Sequence, residues 1–242
     1  MESLTGHDSS IPSSRPALVG TLILMVAPAA LIVCIAPTSA RYVLFGAASW
    51  AVAVLAKIGI AKHSAIRRPS VGSEVRAFVW GLLSGLIELT STAAVIWAFL
   101  ETISANDVVA LGIGVSSAEI IYILVVAMNS RDRMKNDQAL EKWSAGAKRS
   151  LCVRYMLFIE RLSAFLVHVG TRGLIYLALI HHHLWPAAVA LLSFAVVDGM
   201  AVYGKVKGWN WYDPRVAKPF YAFATLIGIC DSFLFYFIAF LR

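Results

Sequence analysis

Seven runs of about 20 or more mostly apolar residues divide this 242-residue chain, and that fact limits its fold more than any other. They are Ala17–Ala36, Tyr42–Ala61, Val75–Leu100, Asp107–Met128, Leu151–Ile180, Leu184–Tyr203 and Ala217–Leu241. A helix needs roughly 20 such residues to cross the hydrocarbon core of a bilayer. Backbone polar groups in lipid must pair within the protein, so runs of this length are helices rather than open strands. The expected fold class is all-α: a polytopic membrane helical bundle of about seven transmembrane helices. The fifth run is longer than a span requires and is expected to tilt or extend past the bilayer.

Composition agrees. Charged residues make up 14% of the chain and hydrophobic residues 59%, against about 25% charged in a soluble domain. The net charge of +7 would suggest nucleic acid as a partner in a soluble protein. Here the placement of the charge gives a better account. Taking loops alternately, one side of the membrane holds Arg15, then Lys62, Arg67, Arg68 and Arg76. It also holds Arg131, Arg133, Lys135, Lys142, Lys148 and Arg149, then Lys205, Lys207, Arg215 and Lys218. The other side holds only Arg41 and Arg242. By the positive-inside rule this places the N-terminus in the cytoplasm and the C-terminus outside. The bilayer is then the partner, the cell (inner) membrane the expected location, and no nucleic acid is implied.

Outside the spans the sequence says less. Residues 1–16 are polar, with Ser and Pro, and are expected to be a disordered cytoplasmic segment. They lack the basic start of a signal peptide, so the first run is read as an uncleaved helix. Residues 17–241 form one transmembrane domain with a basic cytoplasmic loop at 129–150. Within that loop Met134, Leu140, Trp143 and Ala147 fall near helical spacing, which fits a surface amphipathic helix or a solvated loop equally. Trp209, Trp211 and Tyr212 follow Lys205 and Lys207 as interfacial anchors do. His181, His182 and His183 read as a solvated turn, and Cys34, Cys152 and Cys230 as buried, inert thiols without disulfide or metal spacing.

The functional signal lies in charges inside the spans. A charge at the centre of a membrane helix costs roughly 2.5–3.5 kcal/mol on insertion scales, and such residues usually face a protein interior or a water-filled cavity. Glu88, Glu119, Glu160, His168 and Asp198 lie inside, as do Arg161 and Arg172; Lys57 reads as a residue that snorkels to the interface. Counted from the cytoplasmic ends, the four carboxylates occupy one band in the cytoplasmic half. Glu160, Ala164 and His168 recur every four residues on one helix face, and Arg161, His168 and Arg172 make an overlapping stripe.

IERLSAFLVH, with FAVVDGMA one span later, resembles the YhfC family of bacterial membrane proteins, grouped with the CAAX-protease-like intramembrane proteases. The family pattern runs G-L-F-E-E-x-x-R, G-I-G-H-G-x-x-E, E-R-x-x-A-x-x-x-H and H-A-x-x-D. Here the first motif keeps Gly85, Leu86 and Glu88 but has Leu89 and Thr92 for its second Glu and its Arg. The second keeps Gly112, Ile113, Gly114 and Glu119 but has Val115 for His. The third is intact in Glu160, Arg161, Ala164 and His168. The fourth keeps Ala195 and Asp198 but has Phe194 for His.

The resemblance implies a CAAX-protease-like core and hydrolysis of peptide bonds at the membrane. In such a glutamic- or metallo-type peptidase, Glu88 would be the base, His168 its partner, and Glu119 and Asp198 would orient water. Glu160, Arg161 and Arg172 would be structural, and a divalent metal such as zinc is the implied cofactor if the site is active. The lost histidines favour a catalytically degenerate relative, a pseudoenzyme that binds a membrane protein, peptide or lipid in the old cavity. An active peptidase is the first alternative, and a proton- or cation-binding transport protein is the second, since the intramembrane acids offer hard oxygen ligands.

Overall fold

The computed structural model describes residues 14–63, 72–130 and 137–241. The described residues hold helices and no strand: α1 (Arg15–Ile35), a 3-10 turn at Pro37–Ser39, α2 (Ala40–His63), α3 (Ser73–Ala98), α4 (Ala105–Ser130), α5 (Asp137–Arg149), α6 (Leu151–Arg154), α7 (Met156–His181), α8 (Leu184–Val206) and α9 (Pro214–Phe240). Seven of them are long and apolar enough to cross a membrane, and the chain is a multi-pass membrane protein with an all-α bundle. Large apolar side chains such as Ile35, Leu44, Phe78, Trp97 and Phe233 are exposed on its outer face, as a surface solvated by lipid requires.

Local chemistry sets the helix ends. The Ser14 hydroxyl accepts from the Ala17 amide and Pro16 opens α1, where a missing N–H costs nothing. The Ser104 amide donates to Asp107 Oδ2 at 2.8 Å, while the Asp107 amide donates back to the Ser104 hydroxyl, a reciprocal cap at the start of α4. His182 takes a left-handed conformation (φ 55°) and turns the chain from α7 into α8. Asp213 caps α9 by accepting from the Arg215 amide, and Pro214 follows it.

The long fifth run is not one helix. It breaks at Tyr155 (φ −107°, ψ 20°), which separates the single turn of α6 from α7. Past the break α7 still runs 26 residues, more than a span requires. Ahead of the break α5 is a helix, which settles that alternative in favour of order for residues 137–149; Met134 and the rest of 131–136 lie outside the described residues, as does most of the polar segment 1–16. Cys34 and Cys230 are exposed on the outer face and Cys152 is half-buried, so the expectation of buried thiols fails. In a lipid-facing helix an exposed thiol meets acyl chains, not water. All three cysteines are free.

Helix α7 is the axis of the bundle, packing against α1, α3, α4, α8 and α9. That explains why the polar stripe sits on it, because only a helix surrounded by protein can carry charge through lipid. Helices α3 and α8 cross closely where a Cβ on Gly81 would come within 2.2 Å of the Ala195 carbonyl oxygen. Helices α4 and α7 meet where a Cβ on Gly112 would come within 2.9 Å of Val169 Cα. These contacts bring Glu88, Glu119 and Asp198 to the stripe. By contrast α1 buries only Ala17 and Thr21 and leans on the rim of the bundle.

Candidate functional site

Most of the sequence-identified residues come together in one row, Glu160, Arg161, Glu119, His168, Glu88 and Arg172. At one end, Arg161 Nη2 donates to Glu160 Oε1 at 2.6 Å. Arg161 Nη1 lies 3.0 Å from Glu119 Oε1 on α4. The other Glu119 oxygen is 2.5 Å from His168 Nε2 and shares a hydrogen bond with it. His168 Nδ1 lies 3.9 Å from Glu88 Oε2 on α3. Glu88 itself is held twice: Arg172 Nη2 donates to Oε2 at 2.6 Å and Lys57 Nζ on α2 donates to Oε1. From Glu160 to Arg172 the row follows α7 for about 18 Å at ~1.5 Å per residue.

Burial decides how these pairs behave. The side chains of Glu88, His168 and Arg161 are each 5% exposed and that of Arg172 1%. Removing one member of such a pair strands the other in a medium that cannot solvate it. Lys57 and Glu160, at the two ends of the row, are more open, and so is Glu119 between Arg161 and His168. Lys57 does not snorkel as the sequence suggested. It turns inward because Glu88 offers it a carboxylate, and it lies within electrostatic reach of Asp198. Asp198 accepts from the Ser84 hydroxyl on α3, and so sits beside the row without an Arg of its own.

Phe194 lies against the basic side chains at one end of the row. Its ring centre is 5.2 Å from Arg172 Cζ, 5.9 Å from Lys57 Nζ and 5.8 Å from the His168 ring. The negative face of an aromatic ring attracts cations, most strongly where water is scarce. Val115, the other substituted position, is fully buried in the apolar core. Leu89 and Thr92 are also buried, Thr92 one turn beyond Glu88 on the same face of α3.

The zinc that the family resemblance implies does not fit this donor set. His168 is the one histidine in the row, its Nε2 is committed to Glu119, and the three glutamates already face cations. Among the described residues no group of three or more His, Cys, Asp or Glu side chains is placed to hold a metal. The histidines 181–183 are exposed in the α7–α8 turn, as the sequence indicated.

Sequence reasoning missed Asp231. It lies in α9, 4% exposed, with Oδ1 accepting from the Ser193 hydroxyl at 3.1 Å and Oδ2 without a hydrogen-bond partner. It packs against Gly170, where a Cβ would come within 2.6 Å of Asp231 Cβ. An acid inside the seventh apolar run was the available signal.

Compared with family models, with curated proteins and with solved structures, the chain gives no match. The likeness to the YhfC family rests on the motif residues alone.

Proposed function

We propose that this protein is a non-hydrolytic membrane protein, a degenerate relative of the YhfC-type intramembrane proteases. It holds its bundle together with intramembrane ion pairs and acts by binding a membrane-embedded partner. One observation carries this reading: Glu88, the base the resemblance would assign, is clamped between Lys57 and Arg172. A general base must be free to take a proton from water at hydrogen-bond distance. A carboxylate neutralised by two cations, with both oxygens engaged, is a poor proton acceptor. Phe194 extends the same logic, since its ring stabilises those cations where a histidine would compete with them. The N-terminus and the basic loops face the cytoplasm in this reading, by the charge asymmetry of the loops.

The test is reconstitution of the full chain in vesicles with a panel of transmembrane and juxtamembrane peptides. No cleavage above that of the Glu88→Gln variant is expected. Cleavage that Glu88→Gln abolishes while the bundle stays folded would overturn the proposal.

A second reading has a specific observation behind it. A proton passing among these acids would meet Glu88, Glu119, Glu160 and Asp198 in one region of the bundle. His168 is placed to carry it, with Nε2 on Glu119 and Nδ1 turned to Glu88. Chains of acid and histidine side chains of this kind serve as proton relays. Dye-reported proton flux through proteoliposomes that ignores both Glu119→Gln and His168→Asn would remove this reading.

A further inference from the structure

A groove of about 490 Å³ runs along the outer face where α6, α7 and α9 meet. It is lined mostly by apolar side chains, Ile159 of α7 and Tyr221, Ala222, Leu226 and Ile229 of α9, together with Thr225 and Lys218 of α9 and Cys152 of α6. Lys218, Ala222, Leu226 and Ile229 are spaced four, four and three apart, which puts them on one face of α9. From Lys218 to Ile229 the groove is about 16 Å long at ~1.5 Å per residue. One leaflet of hydrocarbon is about 15 Å deep. The groove thus spans a single leaflet, the one adjoining the basic loops.

Lys218 is the cation among the groove's lining residues; it is exposed and has no carboxylate partner among the described residues. The nearest acid in sequence, Asp213, is committed to the Arg215 backbone amide. A cation at one end of an apolar trough one leaflet deep complements a molecule with an anionic head and a long apolar tail.

We infer that this groove is a binding site for one anionic phospholipid of the leaflet on the basic-loop side, with its headgroup at Lys218 and an acyl chain along Ala222 and Leu226. The inference names a lipid as a bound partner and stands on the groove itself, so it survives or fails separately from the role of Glu88. A charge near the membrane surface contributes roughly a fivefold preference for anionic lipid.

The experiment is native mass spectrometry of the full chain released from nanodiscs containing equal phosphatidylglycerol and phosphatidylcholine. The parent is expected to retain one phosphatidylglycerol in preference to phosphatidylcholine. Lys218→Gln should lower that preference about fivefold. Ala222→Phe, at an exposed position, should lower retention of both lipids with no change in unfolding temperature. Equal retention of the two lipids by the parent overturns the site. So does unchanged retention in both variants, or displacement of the lipid by inorganic phosphate, which would mark a simple anion site.

Discussion

Arg172 on α7 donates to Glu88 on α3 across 2.6 Å, in surroundings that leave the arginine 1% exposed. The two residues are 84 positions apart in sequence. Their pairing, with Lys57 on the other carboxylate oxygen, ties three helices at one point in the membrane. Breaking a buried pair by deleting one partner costs about 3–5 kcal/mol. Glu88 keeps Lys57 when Arg172 is lost, and keeps Arg172 when Lys57 is lost. Arg172→Met should therefore fall near the low end of that range, and Lys57→Met, at the more open edge, below it. Denaturant unfolding in mixed micelles gives the order directly.

The contact between Glu119 and His168 should show as a coupling rather than as two separate losses. Glu119 retains Arg161 when His168 is replaced by Leu. A double-mutant cycle with Glu119→Gln and His168→Leu is expected to give a coupling of about 0.5–3 kcal/mol. A coupling of zero would mean that the 2.5 Å contact does not hold α4 to α7.

Asp231 behaves oppositely. It has a hydroxyl partner and one bare oxygen, and among the described residues no ion pair. A buried charge without a counter-charge is costly, and an amide of the same shape retains the Ser193 hydrogen bond. Asp231→Asn is expected to leave thermal unfolding unchanged or raise its midpoint. A large drop would show that the carboxylate has a partner that the neighbouring side chains do not reveal.

Close helix crossings set the geometry of the row. Gly112→Ala places a methyl 2.9 Å from Val169 Cα, one residue past His168, and because that atom is backbone, α4 and α7 must shift apart. The expected loss is about 1–3 kcal/mol. Gly81→Ala meets a carbonyl oxygen at 2.2 Å on a helix that cannot yield locally, so it should cost more. Unfolding midpoints of the two variants, compared side by side, check the ranking.

Much of this was legible from the chain. The seven runs fall within a few residues of the seven long helices, because length and apolarity alone decide what crosses a bilayer. The stripe of Glu160, Arg161, His168 and Arg172 was visible because helical periodicity puts those residues on one face, and the four carboxylates at similar depth were visible by counting rise. What escaped was pairing between helices. Lys57 looked interfacial because depth along α2 says nothing of Glu88 on α3. Phe194 looked like a lost histidine, whereas its ring faces two cations supplied by α2 and α7. The break at Tyr155 has no Gly or Pro to announce it, and it depends on how α6 meets α9. Asp231 needed no structure to be seen, only an acid counted within an otherwise apolar run.

The central claim is that Glu88 is an anchor of the fold rather than a poised base. Residues held ready for chemistry carry strain, and replacing them commonly stabilises a protein; anchors in buried ion pairs do the reverse. The most direct measurement is the unfolding free energy of Glu88→Gln against the parent in the same lipid–detergent mixture. The account predicts a loss of about 3–5 kcal/mol, because Lys57 and Arg172 are both left without their shared carboxylate. A variant as stable as the parent, or more stable, would contradict it and return Glu88 to the role of a base.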